Sequence, residues 1–352
     1  MPRTPPTFPA PARLHVSLVA IPDVTLSALT GLYDVFQMFG ILGSVDPAVP
    51  REPPFDVEVV APEAGVLMTA SGLPITAHRA LREVRQTHII IAPSILVEAA
   101  DWKCGRYPEL IAWLKHHHAR GAMLCSACSG VLLIAETGLL DGLDATMHWA
   151  YAPSFRRNFP KVRVRLEEAL IATGARQEFV MSGASASWHD LVLYLIARQV
   201  GPAAAQAISR FLLLQWHRDG QAPYVPFAPP TDHGDTVVRA LQDWLTEHYS
   251  VVKPVEELVR RSGLPERTLK RRFTQATGLP PIQYVQHLRI EEAKRRLERT
   301  STPIDQISFE VGYEDAASFR RLFRRITRVT PGEYRRKLRL PAVGSGLDRK
   351  PA

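Results

Sequence analysis

The chain has 352 residues, enough for two or three domains with cores of their own. No apolar run reaches the ~18 residues of a membrane span; the longest candidate, 191–197, stops at Arg198. Three cysteines (Cys104, Cys125 and Cys128) exclude a disulfide framework and fit a reducing cytoplasm. The net charge of +8 is concentrated between Asp232 and Leu340, where 22 Lys/Arg face 15 Asp/Glu; the remainder is nearly balanced at 21 to 20. A basic excess confined to one segment is the footprint of a nucleic-acid-binding domain, although a solvated basic surface has the same composition.

In chain order, residues 1–13 are rich in proline and lack the apolar stretch of a secretory signal, so they read as a disordered lead-in. Apolar or alternating runs at 15–21, 55–61, 88–92 and 122–127 predict strands. Helical patterns at 26–39, 107–120 and 129–137 separate and follow them. That alternation predicts βαβ units, hence an α/β domain with a mainly parallel, flavodoxin-like sheet covered on both faces. Shorter strand-like runs at 161–165 and 169–172 and helices at 186–199 and 203–216 complete a domain over 14–221. The proline-dense stretch 222–232 predicts a stiff linker. An all-α domain follows over 233–340, and 341–352 is a polar tail.

The all-α region contains an internal repeat. Leu269 and Phe319, Arg271 and Arg321, Phe273 and Phe323, Pro281 and Pro331, and Tyr284 and Tyr334 are each 50 residues apart; Gly263 and Gly312 are 49 apart, a slip of one residue inside a turn. Each unit reads as a short helix, a glycine turn and a second helix. In the first unit Pro254 opens a helix with Val255, Leu258 and Val259 on one face, and Ser262-Gly263-Leu264 turns the chain. Leu269 and Phe273 then anchor a helix whose outer face carries Arg267, Thr268, Lys270, Arg271 and Thr274, with Arg272 on a flank. In the second unit Ile304, Ile307 and Val311 anchor the short helix. Phe319 and Phe323 anchor the next, leaving Ala316, Ala317, Arg320, Arg321 and Arg324 outward. This is a helix-turn-helix pattern, in which the second helix enters the major groove and arginine or lysine reads guanine edges. A helix over 282–298 joins the units as a rod of ~25 Å, able to hold two recognition helices about one DNA turn apart.

This segment resembles the AraC/XylS DNA-binding domain over 235–338. The residues carrying the likeness are Gly312-Tyr313, Phe319-Arg320-Arg321-Leu322-Phe323 and Thr330-Pro331-Gly332-Glu333-Tyr334-Arg335. Two positions depart: Arg328 stands where glycine is usual, and Ala317 where serine is common. The resemblance implies base contacts from Arg267, Lys270, Arg271, Ala316, Ala317, Arg320 and Arg321, with double-stranded DNA as the partner.

In the α/β domain the sharpest feature is Ser126-Ala127-Cys128-Ser129-Gly130, between an apolar strand and a helix. Small residues two positions either side of the cysteine are what a strained strand-to-helix elbow requires. The elbow lifts Cys128 beside a helix N-terminus, making it a candidate nucleophile with His148 as a possible partner. A small residue that merely packs the turn is the other reading. Cys125 and Cys128 also form C-x-x-C, which opens a redox reading, although the elbow buries Cys125 in the strand. His116-His117-His118 cannot share one ion, since successive helical residues point ~100° apart; a solvated face is expected there, and no metal.

The domain resembles class I glutamine amidotransferase-like proteins of the PfpI type over 13–201. The likeness rests on Tyr33-Asp34-Val35-Phe36, the elbow, 135–142 and Ala145-Thr146-Met147-His148-Trp149. With the AraC-type segment behind it, the whole chain is similar to GlxA-family regulators. Relatives that are enzymes carry an acid where this chain has Ser27-Ala28-Leu29, histidine where it has Ser129, and a Gly-Gly pair where it has Pro93-Ser94. Pro93 has no N–H to offer an oxyanion. The expectation is therefore a non-catalytic sensor of a small molecule, an amine or amino-acid derivative by family analogy. Its pocket would lie at the carboxyl ends of the strands near Ser94, Cys128, Ser129, His148 and Trp149. A homodimer, RNA polymerase as a partner of an activator, no cofactor and a cytoplasmic location complete the reading. A cysteine hydrolase or amidotransferase-like enzyme fused to a DNA-binding domain, and a thiol redox sensor, are the alternatives.

Overall fold

The structure is a computed structural model and describes residues 13–340. Most of the expected lead-in, and the expected tail, lie outside the described residues. The chain divides between Gln221 and Ala222 into two compact units.

The first unit begins with β1 (Leu14–Val19), α1 (Leu26–Gln37), the single turn α2 (Phe39–Leu42), β2 (Phe55–Ala61), the hairpin β3 (Gly65–Met68) and β4 (Pro74–Ala77), and β5 (Arg79–Ala80). It continues with β6 (Ile89–Ala92), α3 (Pro108–Ala119), β7 (Met123–Ala127), α4 (Val131–Glu136), β8 (Asp144–Ala145), α5 (Ala152–Asn158) and β9 (Arg163–Val164). It ends with β10 (Leu170–Thr173), β11 (Phe179–Ser182), α6 (Trp188–Gln199) and α7 (Pro202–Leu212). The main sheet has the order β10-β11-β7-β6-β1-β2-β5. All its pairs are parallel except β10 with β11.

Alternation along each strand sends side chains to two cores. On one face Val16, Leu18, Cys125, Ala127 and Val180 pack against Leu29, Leu32 and Phe36 of α1, Leu191 and Leu195 of α6 and Ile208 of α7. On the other, Val19, Ile90, Leu124 and Met181 pack against Leu110 and Leu114 of α3, Leu132 and Leu133 of α4 and Phe155 of α5. The doubly covered α/β sheet is thus observed.

Several local expectations need correction. The run at 161–165 shrinks to β9, which pairs with β8 in a separate two-stranded sheet. The helix expected over 203–216 ends at Leu212. Leu213 turns left-handed at φ 55°, and both Ser209 main-chain oxygen and Ser209 hydroxyl bond to Leu214, closing the end. The histidine tract is solvated only in part: His116 is exposed, but His117 is buried edge-on to Trp113, and His118 stacks on Phe179. β3, β4, β5, β8, β11 and α5 were not expected.

The second unit consists of α8 (Thr236–His248), α9 (Pro254–Ser262), α10 (Glu266–Thr277), α11 (Pro281–Arg299), α12 (Ile304–Glu310), α13 (Ala316–Thr327) and α14 (Pro331–Leu338). It has two small cores, one for each repeat. Leu241, Leu245, Leu258, Leu269, Phe273, Tyr284 and Val285 form the first. Ile290, Leu297, Ile307, Val311, Phe319, Phe323 and Tyr334 form the second. The 19-residue α11, ~28 Å long, contributes to both. The proline-rich stretch lies on this unit: Val225 accepts a hydrogen bond from Lys294 at 2.9 Å, and the Phe227 ring packs on Tyr284 and His287.

Candidate nucleic-acid interface and elbow site

Each repeat positions its second helix by the same devices. Gly263 ends α9 in the left-handed region at φ 63°, its N–H bonding to Val259 oxygen. Gly312 takes φ 95° at the matching turn, where a Cβ would sit 2.7 Å from Ser250 oxygen. Leu269 and Phe273, like Phe319 and Phe323, are fully buried, which fixes the rotation of α10 and α13 about their axes.

That rotation leaves Arg267, Lys270, Arg271 and Thr274 exposed on α10, with Thr268 half-buried at the margin. Arg267 and Arg271 have no ion pair among the described residues, whereas Lys270 meets Glu266 at 2.5 Å. Arg272 turns back to Asp235, the N-cap of α8, with two bonds of 2.8 and 2.9 Å. On α13, Ala317, Arg320, Arg321 and Arg324 are exposed and Ala316 half-buried. Arg320 pairs with Asp305, and Arg321 donates to Ser318 Oγ at 2.7 Å. Asp315 caps α13 by accepting from the Ala317 and Ser318 N–H groups, and those bonds with the Ser318 hydroxyl hold its carboxyl below the usual range.

A further pair belongs to the repeat and was missed. Thr277 and Thr327 are buried, and each hydroxyl lies within 2.7–3.0 Å of the carbonyls four residues back and two ahead. The 50-residue register that revealed the phenylalanines contains this pair as well. Between threonine and carbonyl stands Gly278 in one unit, at φ 77°, and Arg328 in the other, at φ 63°. Arg328 therefore keeps the left-handed turn that glycine makes without strain, and its N–H bonds to Arg324 oxygen as that of Gly278 bonds to Thr274.

At the elbow, β7 ends at Ala127 and Cys128 takes φ 55°, a strained conformation for a residue with a Cβ. Gly130 has no alternative: a Cβ there would lie 2.1 Å from Ala92 oxygen. Cys128 is 3% exposed. Burial pushes its thiol up, offset in part by Ser94, Ser129 and Ser185. Ser129 Oγ donates to Ile95 oxygen at 2.6 Å and accepts from Ile95 N–H at 2.8 Å, so this backbone donor is already used.

His148 is not joined to Cys128 by a hydrogen bond. Its Nδ1 accepts from Ala150 N–H at 3.1 Å, its ring lies against Trp149, and burial alone lowers its pKa. Two neighbours of the thiol were missed. Tyr151 interacts with Ser129 and Cys128, and it sits three residues past His148, just beyond the motif already singled out. Ser185 follows β11, whose omission hid it. Ser94 is 1% exposed and its hydroxyl faces the Cys128 thiol.

A cavity of about 720 Å³ opens beyond β1 and β6, lined by Asp23, Leu96, Val97, Glu98, Asp101, Lys103 and Arg106. Asp23 is held there by Arg106 and the Tyr107 hydroxyl, both at 2.7 Å. This set differs from the five pocket residues expected from sequence.

A family model described as a helix-turn-helix domain matches residues 258–337. The HTH-type transcriptional regulator CdhR of Pseudomonas aeruginosa is 26% identical over 323 residues, covering 90% of this chain and 94% of that one. GlxA of Rhizobium meliloti, also an HTH-type transcriptional regulator, is 24% identical over 290 residues, 81% and 86% of the two chains. The HTH-type transcriptional regulator ArgR of Pseudomonas aeruginosa is 30% identical over 240 residues, 66% of this chain and 70% of the relative. The chain belongs to the GlxA-type, AraC-family transcriptional regulators, with a helix-turn-helix domain behind an α/β domain.

Proposed function

We propose that this regulator reads specific DNA with both helix-turn-helix units and that its α/β domain responds to a small molecule without catalysing a reaction. The observation that carries the first part is the duplicated helix with buried phenylalanine anchors and outward arginines at matching positions, Arg271 and Arg321. Each can offer a forked pair of donors to a guanine in the major groove.

Against catalysis stand the buried, upward-shifted thiol, the absence of a bond between His148 and Cys128, and the occupied Ile95 N–H. The strained elbow is the one feature favouring a cysteine hydrolase, and turnover lost in Cys128→Ala is what that reading requires. A redox pair is poorly supported: Cys125 is fully buried in β7, and burial pushes its thiol up to about 12. An amine or amino-acid derivative as effector, a homodimer as the working form and RNA polymerase as the partner of an activator belong to the same proposal.

Arg271→Ala and Arg321→Ala are each expected to cost ~1–3 kcal/mol on a duplex selected by the wild type from a random library, and much less on mixed-sequence DNA. Unchanged affinity in both variants would refute the groove assignment.

A further inference from the structure

Where α11 meets α13, a cleft of about 340 Å³ is lined by Gln286, Tyr313, Ser318, Arg321, Leu322 and Arg325. Three hydrogen-bond donors around it are unused, and they come from three different elements. Tyr313, in the glycine-tyrosine turn, has a buried hydroxyl with no partner. The Gln286 amide on α11 and the exposed Arg325 guanidinium on α13 have none among the described residues either. The local charge is positive. Arg289, buried without a carboxylate partner, lies 5.3 Å from the Tyr313 ring centre. Arg325 acts with burial and Lys294 to hold the neighbouring His287 below its ordinary pKa. No acid among the described residues lines the cleft, and the nearby Asp315 is already engaged by Ser318 and faces Arg321 at 3.8 Å. Unused donors and excess positive charge, with the Gln286 amide able to turn its NH2 inward, describe a seat for an anion with several oxygens.

We propose that this cleft seats one backbone phosphate of the bound DNA, gripped by Arg325, Gln286 and Tyr313. The proposal rests on the DNA-binding reading above. Arg325 is one helical turn beyond Arg321, beside the buried Leu322, so it sits on the flank of the recognition helix. A group on the flank meets the groove wall, where phosphates lie, while Arg321 faces the base edges. The tyrosine hydroxyl is covered in the free protein, and the unpaired Arg325 side chain is free to swing aside as the phosphate enters. Because Gln286 belongs to the connecting helix and Arg325 to the second recognition helix, the grip fixes how α13 is registered on the duplex.

The test uses the full chain and two short duplexes, the tightest one the wild type selects from a random library and one of mixed sequence, each titrated over a range of salt. Arg325→Gln should weaken binding to both by the same factor, roughly tenfold, and reduce the slope of log K against log salt by about one unit. Gln286→Ala should weaken both duplexes equally, with a smaller change in slope. Tyr313→Phe removes a hydroxyl that bonds to nothing in the free protein, so its melting temperature should hold or rise while both duplexes bind several-fold more weakly. Arg271→Ala is the contrast, losing affinity mainly for the selected duplex. An unchanged slope in Arg325→Gln, or losses confined to the selected duplex, overturns the phosphate seat and leaves the DNA-binding reading standing. A wild type that binds neither duplex overturns both.

Discussion

Replacing Arg289 by methionine tests whether one buried side chain ties the two helix-turn-helix units together. Its guanidinium is 8% exposed and donates to three carbonyls: Nε to Tyr249 at 2.8 Å, Nη1 to Gly312 at 2.8 Å and Nη2 to Val251 at 2.7 Å. Tyr249 and Val251 follow α8, in the first unit, while Gly312 is the turn of the second. Hydrogen bonds from a charged donor contribute ~1.5–3 kcal/mol each, so three give a gross ~5–9 kcal/mol. Burying the cation without a carboxylate offsets several kcal/mol of that. Methionine keeps most of the aliphatic packing but leaves three carbonyls unmet, and the expected net loss is ~3–5 kcal/mol. For a unit of this size that lowers the melting temperature by roughly 12–20 °C. Amide exchange followed by mass spectrometry localises the effect: peptides around 249–253 and 311–314 should lose protection, while the α/β sheet serves as an unperturbed reference. Arg289→Lys should recover only part of the loss, since one ammonium cannot reach three carbonyls in the guanidinium's spread. A cost below ~1 kcal/mol, or full recovery with lysine, refutes the three-pronged account.

Three further outcomes follow from the geometry. Arg328→Gly should stabilise the helical unit by about 1 kcal/mol in chemical denaturation, because φ 63° strains arginine and not glycine; a destabilisation would show that the arginine side chain contributes more than the strain costs. His117 is held by burial to about 4, below its ordinary 6.5. The unfolded state therefore binds more protons between those values, and stability present at pH 7 is lost as pH falls through that window, by up to ~3 kcal/mol. His117→Leu should flatten the stability difference between neutral and acid pH by a comparable amount, and an unaltered slope sinks the assignment. Gln221→Leu should increase amide exchange across 146–149 and 183–187, since the Gln221 amide donates to Thr146 Oγ1, Met147 oxygen and Glu168 oxygen; unchanged protection there would mean the anchor is idle.

How much the sequence discloses depends on where each element's stabilisation comes from. β1, β2, β6 and β7 were readable because each is an apolar or alternating run, β6 and β7 buried throughout, and such patterns are self-evident without neighbours. β11 has four residues and exists because β7 and β10 pair with its two edges, which no local pattern records. The β3–β4 hairpin lies outside the main sheet, with Val66 and Met68 exposed, so its alternation carries little burial signal. The helical unit was legible almost residue by residue because duplication states every anchor twice. The elbow was legible for a different reason: its small residues Ser126 and Gly130 flank Cys128 within five positions, although what Gly130 must avoid is Ala92 and Pro93 on a distant segment. Its partners were not, because Ser185 reaches Cys128 through space, and His148, close to the motif, spends its acceptor on its own turn.

The elbow raises a question of economy. A left-handed φ at Cys128 costs ~1–2 kcal/mol, and Cys128→Gly would relieve it. Such strain persists only where the surroundings over-determine it, and they do here: Gly130 is wedged against Ala92 and Pro93, and Ser129 is tied twice to Ile95. Those constraints serve enzymes by presenting a nucleophile, yet the thiol here is buried and shifted away from its reactive form. What the same constraints still achieve is to hold β6, β7 and the segment after β11 together, with Ser129 tied to Ile95 and Ser94 and Ser185 beside the Cys128 thiol. Gln221, the last residue of this unit, is 4% exposed and packs where Gly183 has no room for a Cβ, two residues before Ser185. The Gln221 amide also bonds to Thr146 Oγ1 and Met147 oxygen, so the end of this unit shares one set of contacts with the segments around the elbow. That is a use for a rigid elbow that does not depend on chemistry at sulfur.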